Sequence, residues 1–243
     1  MTLGSTVRIN SDAGSLTFTR ANSITGTNRN LTLGGAAGGT VGGTITTGTG
    51  TLTKDGAGTW NLNGANTYSG ATLISAGTLA LGSTGSLAST TYSIGNGATF
   101  DVSAQSNYSL AAVAVTIDVG SAGAGLFNGP TGALTLGNAL TLNFTTSMLT
   151  NGQTYNLFDF GSQTEDFSSV TLSGSIIGSF LLTSADTWTG SFGGYDFTFS
   201  EATGILSLAA IPEPSTWALL FGGASLLFVV CRKWQARSRS LAK

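Results

Sequence analysis

Short stretches of alternating apolar and polar residues, each introduced by a glycine, recur along this chain. The phrase Gly-Thr-Leu-x-Leu and its close variants begin at Gly50, Gly58, Gly77, Gly132 and Gly204. The third and fifth positions of each copy carry the larger apolar side chains, except that the fifth position of the first copy is the charged Lys54. Residues two apart lie on one face of a strand. Recurrence at roughly 20 residues predicts a β-solenoid, in which each coil buries its apolar face only by stacking on its neighbours.

The second half of the chain is richer in aromatic residues. Eight of the thirteen phenylalanines lie between Phe144 and Phe199, whereas only Phe18 precedes Phe100. Short alternating runs with glycine-containing connections favour hairpins here. We interpret residues 98–210 as later coils followed by an aromatic-rich antiparallel β cap, because an open solenoid end exposes unpaired strand edges. A separate β-sandwich is the alternative for this half.

The pattern changes at residues 211–243. Pro212 and Pro214 end the preceding strand, because proline supplies no donor to a strand ladder. The stretch from Trp217 to Cys231 carries no charge. As a helix, residues 215–231 would extend roughly 26 Å, close to the hydrocarbon core of about 30 Å. We therefore expect one C-terminal transmembrane helix.

The predicted anchor and its flank have distinct compositions. The apolar contacts with lipid are assigned to Trp217, Leu219, Leu220, Phe221, Leu226, Leu227, Phe228, Val229 and Val230. The basic stop in the tail, residues 232–243, consists of Arg232, Lys233, Arg237 and Arg239. Basic flanks stay in the cytoplasm, so the C-terminus is expected there and the body on the other side of the membrane.

The tail as a whole resembles a known sorting signal. Pro212-Glu213-Pro214, a short polar step, an apolar helix and a terminal basic cluster are together similar to the PEP-CTERM signal of Gram-negative bacteria. The resemblance implies that an exosortase, an integral-membrane enzyme, recognises Pro212, Glu213 and Pro214 and processes the tail. It also implies an inner-membrane precursor whose body is later held at the cell surface or secreted, often in company with exopolysaccharide.

A second resemblance covers about residues 50–82. The segment from Lys54 to Leu79 contains Lys-Asp-Gly-Ala-Gly-Thr-Trp, then Asn-Thr-Tyr-Ser-Gly, then Ala-Gly-Thr-Leu. It resembles the autotransporter-associated β-strand repeat of large bacterial surface proteins. The resemblance implies a right-handed parallel β-helix at the cell surface, which fits the assignment of residues 1–97 to glycine-rich solenoid repeats.

Composition narrows the range of functions. The chain has 36 glycines and no histidine. The absence of histidine removes Ser/His/Asp triads, Cys/His dyads and histidine-based metal sites. Before Ile211 there are four basic residues and ten acidic ones, a balance that argues against a nucleic-acid partner. We expect no enzyme activity, no cofactor and no metal.

Two residue groups are candidates for binding or catalytic sites. The acidic group could form a glycosidase pair, or a calcium site at Asp159, Glu165 and Asp166, but solvated loop acids are the favoured interpretation. The full acidic group is Asp159, Glu165, Asp166, Asp186, Asp196 and Glu201. Among aromatic residues that could stack on sugars, Trp60 is expected in the core and Tyr68 at a coil corner. Trp188 and Tyr195 remain open between both roles.

Together these patterns predict an exported structural protein of the cell surface or extracellular matrix, sorted by exosortase. The alternative is an adhesin or carbohydrate-binding module that holds exopolysaccharide through aromatic and Asn/Thr-rich faces. Residues Met1 to Asn10 lack a basic region followed by an apolar run, so no signal peptide is recognised there. We therefore expect that further residues precede this chain.

Overall fold

The computed structural model describes residues 1–121 and 123–212, and this part of the chain contains strands and turns without a helix. Its thirty strands are β1 Thr2–Leu3, β2 Val7–Asn10, β3 Leu16–Phe18, β4 Ile24–Gly26, β5 Leu31–Gly34, β6 Gly38–Val41, β7 Ile45–Thr46, β8 Leu52–Lys54, β9 Thr59–Leu62, β10 Ala65–Asn66, β11 Thr72–Ile74, β12 Thr78–Leu81, β13 Ser86–Leu87, β14 Thr91–Ile94, β15 Thr99–Asp101, β16 Tyr108–Ser109, β17 Ala114–Gly120, β18 Gly123–Ala124, β19 Leu126–Asn128, β20 Ala133–Thr135, β21 Ala139–Phe144, β22 Thr154–Asn156, β23 Phe158–Asp159, β24 Ser162–Thr164, β25 Ser169–Gly174, β26 Gly178–Ser179, β27 Leu181–Ser184, β28 Thr187–Phe192, β29 Tyr195–Ser200 and β30 Ile205–Ala210.

Most strands stack in parallel as the faces of a β-solenoid. One face is formed by β2-β5-β8-β11-β14-β17-β21-β25 and a second by β23-β19-β15-β12-β9-β6-β3. The third face consists of the shorter groups β1-β4-β7, β10-β13 and β16-β20-β24. Hydrogen bonds between neighbouring coils join residues 20 positions apart at Asn66 and Ser86, but 30 apart at Thr141 and Thr171. The predicted all-β solenoid is confirmed, and its later coils are longer.

The strand register aligns equivalent inward side chains of successive coils into columns inside the stack. On the first face, one inward column consists of Ile9, Leu33, Lys54, Ile74, Ile94, Ile117, Leu142 and Leu172. On the second face, one column consists of Trp60, Leu79, Phe100, Phe127 and Phe158. All these side chains are buried. The third and fifth positions of the recurring phrase therefore face the core, as the alternation predicts.

The glycine cluster at residues 34–39 forms a corner of the stack rather than a flexible segment. Gly38 has a φ of 78°, and a Cβ there would lie 2.0 Å from the carbonyl oxygen of Thr59 in the next coil. A Cβ at Gly39 would lie 2.2 Å from the carbonyl oxygen of Leu16 in the preceding coil. Glycine is needed at these two positions because neighbouring coils approach each other at backbone distance.

A five-stranded antiparallel sheet, with the order β22-β30-β29-β28-β27, combines β22 with the four strands that follow the coils in the chain. Its phenylalanines pack on those of the last coils, with ring centroids 5.6 Å apart for Phe144 and Phe197 and 6.2 Å apart for Phe158 and Phe199. We call these five strands the closing sheet. The aromatic-rich antiparallel cap is present, and the alternative sandwich over residues 98–210 is not formed.

In the part of that half before the closing sheet, the predicted later coils are present, and short antiparallel hairpins form at β17–β18 and β25–β26. The pairs β14–β17, β17–β21 and β21–β25 are parallel and continue the coil stack. Short glycine-containing connections are compatible with both arrangements because a solenoid corner and a hairpin turn use the same residues, and only the partner strand distinguishes them.

The predicted membrane helix, residues 215–231, lies outside the described residues. Among the residues that are described, no helical segment has the length and apolar character required to cross a bilayer.

Buried tyrosines make the fold sensitive to high pH. Burial raises the pKa of Tyr92 to about 12 and also raises the pKa values of Tyr68, Tyr108 and Tyr155. In the unfolded chain a tyrosine ionises at about pH 10. Above that pH the folded state binds more protons than the unfolded state, so the free energy of unfolding falls as pH rises from about 10 towards 12.

Urea unfolding at a series of pH values, read together with tyrosinate absorbance, measures this dependence. We expect Tyr92→Phe to unfold with a shallower pH dependence than the unaltered chain, because one of the shifted groups has been removed. A stability that stays constant from pH 10 to 12 in the unaltered chain would contradict the prediction.

Candidate functional site

The proposed sorting residues can be followed only as far as Pro212. That proline is exposed, at the end of the described residues. Glu213 and Pro214 lie outside them, as do the predicted anchor and the predicted basic stop.

Three of the four candidate aromatic residues are buried, and the fourth is half-buried. Trp60 has no exposed surface and donates its indole N–H to the carbonyl oxygen of Gly34 at 3.0 Å. Tyr68 is also fully buried, and its hydroxyl lies 2.8 Å from the Thr72 hydroxyl. The predictions of a core tryptophan and a corner tyrosine are confirmed.

Trp188 and Tyr195, whose roles the sequence leaves open, also pack against other parts of the protein. Trp188 is buried and donates its indole N–H to Glu201 Oε1 at 2.9 Å. Tyr195 is half-buried and donates its hydroxyl to the carbonyl oxygen of Leu149 at 2.7 Å. None of the four rings is presented as an open stacking platform for sugars.

Lys54 is a charged residue inside an aliphatic column. Its side chain has no exposed surface, and Nζ donates to the carbonyl oxygens of Asp55, Gly56 and Ala76, each at 2.9 Å. Burial lowers the pKa of Lys54, and the negative charge of Asp55 opposes this shift. Since Ala76 belongs to the next coil, the ammonium group links two consecutive corners of the stack.

A cluster of three carboxylates lies where the coils meet the closing sheet. Asp166 is in the loop between β24 and β25, Asp186 in the turn between β27 and β28, and Glu201 directly after β29. One carboxylate oxygen of each lies within 4.8 Å of the others. Asp166 is exposed, Asp186 is half-buried and Glu201 has no exposed surface. We call these residues the carboxylate cluster.

Hairpin pairing brings the cluster together. The ladder between β28 and β29 pairs Thr187 with Ser200, so the residues just outside that pair, Asp186 and Glu201, become neighbours. The amide N–H of Glu201 donates to the carbonyl oxygen of Asp186 at 2.8 Å. Asp186 has a φ of 59°, a left-handed conformation that aspartate tolerates better than most residues.

The two oxygens of Glu201 have different environments. Oε1 accepts hydrogen bonds from the amide N–H of Phe167 at 2.8 Å and from Trp188 Nε1 at 2.9 Å. Oε2 is buried and has no hydrogen-bond partner within the described part of the chain. A nearby amide shows the same imbalance, because Gln163 Nε2 donates to Asp186 Oδ1 at 2.6 Å while Gln163 Oε1 is buried without a partner.

The electrostatics of Glu201 follow from this placement. Burial raises the pKa of Glu201 to about 7, and the carboxylate of Asp166 adds to the rise. The hydrogen bonds from Phe167 and Trp188 act in the opposite direction, because they stabilise the charged form. The four basic side chains among the described residues all lie at or before Lys54, and none forms an ion pair with the cluster.

The sequence favours an interpretation of the acidic residues as solvated loop residues. That interpretation is wrong for Asp186, which is half-buried, and for Glu201, which is fully buried. The calcium set considered from the sequence, Asp159 with Glu165 and Asp166, is replaced by a set that shares only Asp166. Three convergent carboxylates are oxygen ligands suited to a hard cation. A glycosidase pair fits less well, since no sugar can contact the fully buried carboxyl of Glu201.

One signal in the sequence could have indicated the burial of Glu201. Phe197, Phe199 and Glu201 alternate at a spacing of two, which places the glutamate on the same face as two core phenylalanines. No comparable signal exists for its proximity to Asp166, which depends on how the closing sheet packs on the last coil.

Comparison with known protein families finds a match for one segment of the chain. Residues 52–81 match the model of the passenger-associated transport repeat family. This match confirms the autotransporter-associated repeat predicted at about residues 50–82. The matched segment contains Lys54, Trp60 and Tyr68, all three of which are buried. No curated protein and no solved structure shows significant similarity to the chain.

Replacing Lys54 with methionine tests what the buried ammonium group contributes. The methionine side chain can fill the aliphatic column, but three carbonyl oxygens lose their donor. The three hydrogen bonds are part-buried and come from a charged donor, so we expect the free energy of unfolding to fall by about 1–3 kcal/mol. Urea unfolding followed by circular dichroism measures the change.

Thr53→Ala is the matched control, because Thr53 neighbours Lys54 in β8 and is less buried. Its effect should stay within about 0.5 kcal/mol. If Lys54→Met were as stable as the unaltered chain, the three hydrogen bonds would contribute nothing beyond what a hydrophobic side chain supplies.

Proposed function

We propose that this chain is an exported structural protein of the cell surface or extracellular matrix, sorted by exosortase through its C-terminal signal. The stacked solenoid, with a passenger-associated transport repeat at residues 52–81, is the observation that carries the proposal. Passenger-type repeats are parts of surface proteins, and a stack of coils whose aromatic residues point inward suits a scaffold.

The sorting step rests on the tail sequence. Pro212-Glu213-Pro214, the apolar stretch and the basic cluster follow one another in the order that the PEP-CTERM signal requires. In this proposal the precursor is held in the inner membrane with its C-terminus in the cytoplasm. An exosortase then cleaves near the motif, and the body is retained at the cell surface or released. No enzymatic activity of the chain itself and no nucleic-acid partner is involved.

A role as a polysaccharide adhesin is the second candidate, and one structural feature favours it. The outward positions of the first face align hydroxyl groups of successive coils, as in the column Ser93, Thr116, Thr141 and Thr171. Such a row of donors and acceptors can bind sugar hydroxyls. The aromatic stacking that also supported the adhesin is weakened, because the candidate rings pack inside the protein.

A pull-down with purified exopolysaccharide separates the two candidates. For a scaffold we expect no saturable binding by the unaltered chain. Saturable binding that is lost in a Thr116→Val/Thr141→Val double variant, but kept in Thr40→Val, would instead support the adhesin, because Thr40 lies in β6 on the second face, away from the hydroxyl column.

Replacing Glu213 with alanine tests the sorting proposal. We expect uncleaved precursor to accumulate in the inner membrane, because the processing enzyme no longer recognises the motif. Cell fractionation and immunoblotting measure the ratio of precursor to mature protein. Glu165→Ala, which removes an exposed acid of the body, is the control and should be processed normally. Normal export of the Glu213 variant would refute sorting through this motif.

A further inference from the structure

We propose that the carboxylate cluster of Asp166, Asp186 and Glu201 is a divalent-cation site, suited to Ca²⁺, that fastens the closing sheet to the last coil. The inference goes beyond the proposed function and does not depend on how the chain is sorted. It assigns a metal to a protein whose sequence predicts none.

The spacing of the oxygens fits one ion. Ca²⁺ lies about 2.4 Å from its oxygen ligands, so two ligands of one ion can be at most about 4.8 Å apart. The three carboxylate oxygens lie within 4.8 Å of one another. Mg²⁺ demands shorter distances in a near-ideal octahedron and usually keeps several waters. Because one ligand, Glu201, has no exposed surface, few waters can surround an ion on that side, and the flexible shell of Ca²⁺ suits such a set better than the hydrated Mg²⁺ does.

Unsatisfied acceptors form an independent second argument. Oε2 of Glu201 and Oε1 of Gln163 are both buried without a hydrogen-bond partner in the described part of the chain. The Gln163 amide is bonded to Asp186 and therefore lies beside the cluster. Buried polar atoms are almost always paired. A buried, unpaired oxygen of Glu201 beside two further carboxylates indicates a missing positive charge.

The surroundings orient the buried ligand. Phe167 N–H and Trp188 Nε1 both bind Oε1 of Glu201, which fixes the carboxylate plane and leaves Oε2 available. Hydrogen bonds that hold a ligand from behind are a regular feature of metal sites. The exposed side chain of Asp166 gives an ion and its remaining waters access from solvent.

The topology explains what such an ion would do. Asp166 belongs to the last coil, whereas Asp186 and Glu201 belong to the closing sheet. Without an ion, the negative charges oppose contact between these two parts of the structure. With an ion bound, the same groups hold the two parts together, so Ca²⁺ should stabilise the folded state.

The test uses Tb³⁺, a luminescent ion that occupies calcium sites, and the full chain purified in a mild detergent. Trp188 contacts Glu201, so exciting its indole should sensitise emission from Tb³⁺ bound at the cluster. We expect saturable emission that Ca²⁺ suppresses at lower concentration than Mg²⁺. In addition, 10 mM Ca²⁺ should raise the Tm by about 3–6 °C if the Kd is about 1 mM, a value typical of extracellular calcium modules.

Three isosteric variants and one control make the test specific to the cluster. Asp166→Asn, Asp186→Asn and Glu201→Gln should each weaken Tb³⁺ binding at least tenfold and abolish the Tm shift. Glu165→Gln removes an exposed charge next to Asp166 and should change neither. If Glu201→Gln does not fold, the two aspartate variants test the proposal, because Asp166 is exposed and Asp186 is only half-buried.

Two results would overturn the proposal. One is an absence of any Ca²⁺ effect on the Tm of the unaltered chain, which would mean that a proton rather than a cation relieves the repulsion. The other is equal Tb³⁺ emission from the Asp166→Asn and Glu165→Gln variants, which would mean that Tb³⁺ binds scattered surface acids.

Discussion

Every coil of this protein depends on its neighbours to bury its apolar residues. A single coil of roughly 20 residues is too small to enclose a core, so the free energy gained from burial arises only where equivalent positions of successive coils meet. The columns of Ile74, Ile94 and Ile117 and of Phe100, Phe127 and Phe158 are the direct expression of this constraint. Glycine at corners such as Gly38 permits the close approach that the columns require.

The same constraint decides how much of the fold could be predicted. Repetition is visible in a single sequence, because each copy of the recurring phrase carries its own alternation and its own glycine. The solenoid, the repeat at residues 52–81 and the inward position of Trp60 follow from such local information. The later coils of β17, β21 and β25 were also predicted, although their short connections are equally compatible with hairpins because the correct partner is distant in the chain.

The carboxylate cluster was beyond prediction for a related reason. Asp186 and Glu201 meet through the register of one hairpin, which a sequence can suggest. Asp166 joins them only because the closing sheet lies against the end of the coil stack. That contact is set by packing among phenylalanines such as Phe158, Phe167 and Phe199, and packing of this kind leaves no periodic trace.

Lys54 and Glu201 show opposite solutions to placing a charged group in a β-solenoid. The ammonium group of Lys54 is surrounded by three carbonyl acceptors supplied by coil corners, so the repeat itself satisfies the charge. Glu201 lies where the repeat stops, and the supply of regular partners stops with it. One of its oxygens receives two donors and the other receives none. Each backbone carbonyl oxygen can accept two hydrogen bonds whereas each N–H donates only one, so a buried cation is easier to accommodate at a solenoid corner than a buried anion. At the end of the stack, therefore, a cation from solvent would stabilise the folded state most, because the coils supply no regular partner for the buried carboxylate there.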